Sequence, residues 1–163
     1  MSRQRGVRST VAAAGLLASA LATSAFAADE PANVVKYRKA FMDVNGAHIT
    51  MIAAVVKGEV SFGDVAGSAQ ALAAQGKLLT ANLKQLFPEG TAKGETSEKS
   101  GALPVIWEKW SEFEQAAQKF EEESAKFAEV AQGGDMAAIG PALGTFGKQG
   151  CGGCHETFRE KQN

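Results

Sequence analysis

From Val34 onward the apolar side chains recur at steps of three and four residues, and nowhere do they alternate for long. That is the period of an α-helix, and it leaves no strand from which a sheet could be built. The first stripe is Val34, Arg38, Phe41, Asn45, His48, Ile52 and Val55, broadened by Tyr37, Met42, Val44 and Ile49 and ended by Gly58. The second runs Val65, Ala69, Leu72, Gly76, Leu79, Leu83 and Leu86, with Asp64 as its expected N-cap and Phe87-Pro88 as its stop. The stretch from Pro88 to Ala102, rich in Gly, Thr, Ser and Lys, reads as a loop. The third stripe is Ile106, Trp110, Phe113, Ala117, Phe120, Ser124, Phe127 and Ala131, with Pro104 near its start and Gly133-Gly134 past its end. The fourth segment, Asp135 to Lys161, carries Pro141 about two turns in. A short turn over Met136 to Ile139 is therefore expected, followed by a main helix that begins at Pro141. Four stripes of roughly 20 residues on short connections give an all-α fold, an antiparallel up-down-up-down four-helix bundle.

Composition narrows what such a bundle can be. At 163 residues, 45% hydrophobic and 21% charged, the chain suits one globular domain, not a disordered chain or a multi-span membrane protein. A net charge of −1 offers no basic surplus to neutralise phosphates, which argues against nucleic acid as a partner. Residues 1–27 read as a secretory signal. Arg3, Arg5 and Arg8 supply the positive start, Val11 to Ala22 is apolar and small, and Ala25-Phe26-Ala27 is an A-x-A cleavage site. The apolar run is about a dozen residues against the roughly 20 of a membrane span, so no stable insertion is expected after cleavage. Cleavage leaves 28–163 as the functional domain. It removes three of 17 basic residues and none of 18 acidic ones, taking the net charge from −1 to −4.

The chemistry is concentrated near the C-terminus, in Cys151-Gly152-Gly153-Cys154-His155. Two thiols one helical turn apart can each add to a vinyl group of haem, and the adjacent imidazole then lies beneath the porphyrin, where it can bind iron. Glycine at both intervening positions keeps side chains away from the crowded edge between the anchors. Three other readings compete. A redox C-x-x-C would follow a strand of an α/β fold, a zinc site would need two more ligands when His48 is the only other histidine, and a disulfide would close too small a loop to stabilise much. Export favours haem, since attachment in bacteria takes place outside the cytoplasm. The eight residues after His155 contain no methionine, so a sixth ligand is expected from upstream, where Met42, Met51, Met136 and His48 are the candidates.

Further runs carry a resemblance. Val35-Lys36-Tyr37-Arg38-Lys39-Ala40-Phe41-Met42, Val55-Val56-Lys57-Gly58-Glu59, Leu86-Phe87-Pro88-Glu89-Gly90-Thr91, Ile106-Trp107 and the terminal Cys151 to Arg159 together resemble the class II cytochromes c, that is, cytochrome c-prime and its low-spin relatives. The resemblance implies one covalent haem c held between the helices of the bundle. It puts Met42 where low-spin members carry a methionine ligand and five-coordinate members an apolar residue. It likens Arg38 to an arginine near the distal face and a haem propionate, and Arg159 to the basic residue beside the axial histidine. It also implies a homodimer through the first two helices. His48 reads as a core or partly exposed histidine, Trp107, Trp110 and the phenylalanines of the third stripe as core or haem wall, and Glu121-Glu122-Glu123 as a solvated face, with Lys126 pairing to Glu122.

The leading expectation is a periplasmic electron carrier, not an enzyme, with His155 and Met42 on the iron and periplasmic redox proteins as partners. The alternative is a five-coordinate protein that binds nitric oxide or carbon monoxide, with Met42 only crowding the distal side. A haem enzyme comes third, because no distal His–Arg pair is legible to activate peroxide. The attachment motif is directly testable. Denaturing gels stained for haem should show a band for the parent and none for the Cys151→Ser/Cys154→Ser double variant; a surviving band contradicts the assignment.

Overall fold

The computed structural model of the protein describes residues 29–161; the expected export signal, residues 1–27, lies outside them. Seven helices follow in order: α1 (Pro31–Val56), α2 (Val65–Ala81), α3 (Leu83–Leu86), α4 (Val105–Glu108), α5 (Trp110–Gln132), α6 (Met136–Phe146) and α7 (Gly153–Phe158), with a π-helical turn (Gly147–Gly152) joining the last two. No strand occurs among the described residues, only an isolated antiparallel bridge between Ala102 and Arg159. The long helices pack in a closed ring, α1 on α2, α2 on α5, α5 on α6 and α6 back on α1. This is the four-helix bundle expected from the stripes.

The stripes point inward. Every position of the second is buried, and so is every position of the third except the half-buried Trp110. On α1, Val34, Val35, Arg38, Asn45 and Ile52 are buried, whereas Tyr37 and Val44, expected to broaden the stripe, face outward. The two expected caps form: Asp64 Oδ1 accepts from Gly67 N at 2.7 Å and Asp135 Oδ1 from Ala137 N at 2.9 Å.

Four expectations need correction. The second and third stripes each break by one residue, at Asn82 (φ −118°, ψ 20°) and Lys109 (φ −122°, ψ 47°), so each is a long helix plus a single turn. Pro141 does not start a new helix; α6 runs through it from Met136. The proline lies near the exposed helix start, where the Ala137 carbonyl that loses its donor can reach water, and Gly140 has no Cβ for the ring to strike. Glu123 is not on a solvated face. It is 6% exposed, and its Oε1 accepts from Lys119 and Lys126 at 2.9 Å each. Lys126 thus bonds Glu123 where Glu122 was expected. Those bonds, first Lys126 and then Lys119, hold the Glu123 carboxyl below the ordinary carboxylate range against the opposing effect of burial.

Helices α2 and α5 come close together at Gly76. A Cβ there would stand 2.6 Å from Ser124 Oγ and 2.8 Å from Glu121 Cα, and the second of these is backbone that cannot swing away. Gly76→Ala should therefore lower stability by about 1–3 kcal/mol through overpacking, more than the roughly 1 kcal/mol that alanine gains in helix propensity. Thermal melting of the haem-loaded variant checks this; a raised midpoint contradicts it.

Candidate functional site

One end of the bundle is not filled by side chains. It holds a cavity of about 490 Å³, within the size range of small-molecule and cofactor pockets. Its walls come from α1, α2, the 87–106 stretch, α5 and the segment from Gly150 to Arg159. All six residues singled out by the sequence, Arg38, Met42, Cys151, Cys154, His155 and Arg159, line it.

The anchor segment owes its form to glycine. Cys151 lies in the π turn and Cys154-His155 open α7. π turns are rare and concentrate at functional sites. This one is pinned by Gly150, whose missing Cβ leaves room for the Phe146 ring at 2.8–2.9 Å from the Cβ position. Phe146 in turn stacks on Phe127, centroids 5.6 Å apart and planes 4° apart. Above it, Phe87, Phe113 and Phe158 pack edge to face at centroid distances of 4.7 and 5.2 Å, giving the cavity an aromatic wall. Trp107 Nε1 donates to Phe87 O at 3.1 Å and holds that wall in place.

The two cysteines are half-buried free thiols. Burial pushes the Cys154 thiol up to about 11, with the neighbouring Cys151 adding to the shift. Burial also raises Cys151, opposed by the charge of Arg159. Both are therefore protonated near neutral pH. Burial lowers the pKa of His155, and the Arg159 charge lowers it further, so its imidazole is neutral and has a lone pair for a metal. Among the described residues no strand precedes the cysteines and no cluster of three or more His, Cys, Asp or Glu could hold a metal ion.

Met42 is half-buried on the α1 wall, with Asn45 and Ile49 on the same face. The other two candidate methionines are elsewhere: Met51 is 50% and Met136 42% exposed, and neither lines the cavity. His48 is also absent from the lining; it is half-buried, with Nδ1 enclosed and without a partner among the described residues. Arg38 is 5% exposed, and its hydrogen bonds run to the 86–100 stretch. Nη1 donates to Leu86 O and Thr91 Oγ1, both at 3.0 Å, and Nη2 to Thr91 O at 2.8 Å and Ser100 Oγ at 2.9 Å. Its guanidinium carbon stands 4.6 Å from the Phe87 ring centroid. Burial lowers its pKa to about 10, which still leaves it charged.

Sequence reasoning missed Lys39 and Lys99 as wall residues and Thr91 and Ser100 as partners of Arg38. Lys39 lies off the apolar stripe of α1, and no periodic signal marks Thr91, Lys99 and Ser100, because the 88–102 stretch is irregular. An apolar space with two thiols and a neutral imidazole on one wall, and with Lys39, Lys99 and Arg159 also among its lining, matches a flat apolar macrocycle bearing two carboxylates.

The comparisons with known proteins agree with that match. Residues 33–159 match the family described as Cytochrome C'. The chain is 38% identical over 131 residues to a cytochrome c' of Pararhodospirillum photometricum, covering 80% of this chain and 98% of the relative. It is 37% identical over 130 residues to cytochrome c-554 of Cereibacter sphaeroides, covering 78% and 93%. A nitric oxide complex of a variant cytochrome c prime from Alcaligenes xylosoxidans has the same fold, at 27% identity and TM-score 0.66, covering 82% of this chain and 98% of that one. The bundle, the C-x-x-C-H motif and the pocket beside it thus have one origin: the chain belongs to the cytochrome c' family, whose cofactor is a covalently bound haem c.

Proposed function

We propose that this chain is a five-coordinate haem protein that binds a small uncharged gas, nitric oxide or carbon monoxide. Cys151 and Cys154 attach the haem, and His155 is the protein's one iron ligand. The observation that carries the reading is the make-up of the cavity wall: His155 is the only imidazole on it among the described residues, while α1 presents Met42 and Ile49. Haem iron held by a single histidine has an open position for diatomic gases, and the polarity and crowding of the distal wall set which ones enter. Here Met42 crowds that side. Arg159 and Lys99 are suited to the haem carboxylates, and Arg38 supports them through the loop it holds. The relative solved as a nitric oxide complex supports this reading over the electron carrier that the sequence put first.

The carrier remains the second reading, favoured by one observation: Met42 is the one methionine on the cavity wall among the described residues. Residues 28–163 act in the periplasm after loss of the 1–27 signal, and no described helix is long and apolar enough to cross a membrane. A second copy of the chain is the partner best supported. Tyr37, Val44 and Met51 are exposed along α1 at one per two turns, an apolar stripe suited to a homodimer.

Carbon monoxide binding to the ferrous protein separates the two readings. The parent should bind it, and Met42→Ala should bind it roughly tenfold faster, which corresponds to relief of about 1.4 kcal/mol of crowding. A parent that refuses carbon monoxide and a Met42→Ala variant that accepts it would establish the carrier instead.

A further inference from the structure

Between Val35 and Ile52, the buried positions of α1 are Arg38 and Asn45, both polar. Along this stretch the helix faces the cavity, and its apolar side chains Phe41, Met42 and Ile49 pack against the core only partly buried. The buried polar contact that fastens it there is the set of four bonds from Arg38 to Leu86, Thr91 and Ser100. Every acceptor in that set is neutral, and no carboxylate among the described residues pairs with the guanidinium. The geometry of the fork, more than charge neutralisation, defines the contact.

The far side of the same loop is tied to the anchor segment. Glu160 N donates to Gly101 O at 2.8 Å and Leu103 N to Phe158 O at 3.0 Å. The loop is internally braced as well: Thr91 Oγ1 donates to Pro88 O at 2.7 Å and Ser100 Oγ to Thr91 O at 3.2 Å. One braced loop thus joins the helix that carries Met42 to the segment that carries His155.

We propose that Arg38, received by Thr91 and Ser100, is a latch that sets how closely the Met42 wall approaches the cavity, and hence how readily a gas reaches the distal side. Thr91 and Ser100 are positioning residues: they act through Arg38. The proposal rests on the haem-pocket reading above but not on whether Met42 binds iron. Weakening the latch lets α1 swing outward in either case.

The test uses haem-loaded protein and the association rate of carbon monoxide with the ferrous form. Thr91→Val and Ser100→Ala should each raise the rate roughly ten- to hundredfold, the effect on an opening equilibrium of losing a hydroxyl that bonds a charged group and braces the loop. The double variant should exceed either, with haem content unchanged. Thr91→Ser, which keeps the hydroxyl, should restore the parent rate. Should Thr91→Val fail to fold, Ser100→Ala alone carries the test. Parent-like rates in the haem-loaded hydroxyl-lacking variants overturn the latch, as does a Thr91→Ser variant as fast as Thr91→Val. A parent that refuses the gas defeats the gas-binding reading alone; the latch then stands if the double variant admits it and falls if that variant also refuses.

Discussion

The space at one end of the bundle is the constraint on which the rest depends. A cavity of about 490 Å³ leaves that end of the bundle without the close packing that fills an ordinary protein interior. A chain with such a hollow is built around something that fills it. The aromatic wall of Phe87, Phe113 and Phe158, the anchor turn over Phe146 and the polar fastening of α1 are consequences. Each holds in place a surface whose natural contact is a bound group. A covalent cofactor suits this arrangement, because its filling of the core cannot dissociate away.

The bundle was legible because its information is local and periodic. The caps at Asp64 and Asp135 and the buried positions of the second and third stripes follow from side chains within a few residues of each other. The exceptions arise where a distant contact decides. Whether a helix bends for one residue at Asn82 or Lys109 depends on how the next turn meets its neighbours, and Pro141 is accommodated because Gly140 precedes it near an exposed helix start. Glu123 sits three residues after Phe120 and four before Phe127, at the edge of the third stripe, and its burial depends on the lysines that meet it in the packed bundle.

The site was legible to a different depth. Cys151, Cys154 and His155 form a contiguous motif with a chemical logic of its own, and resemblance added Arg38, Met42 and Arg159; all six meet at one cavity. The partners of Arg38 were invisible, since Thr91 and Ser100 lie 53 and 62 positions away in an irregular stretch. The choice between gas binding and electron transfer was also out of reach, because it turns on whether one thioether sulfur reaches the iron. A methionine at that position serves equally well as wall or as ligand, and the sequence is the same in both cases.

The central claim is that His155 is the only protein ligand to the haem iron, and an electron paramagnetic resonance spectrum of the ferric, haem-loaded protein tests it most directly. The account predicts a predominantly high-spin signal, as befits one axial imidazole and an open sixth position. A predominantly low-spin signal from the parent, converted to high-spin by Met42→Ala, would contradict it.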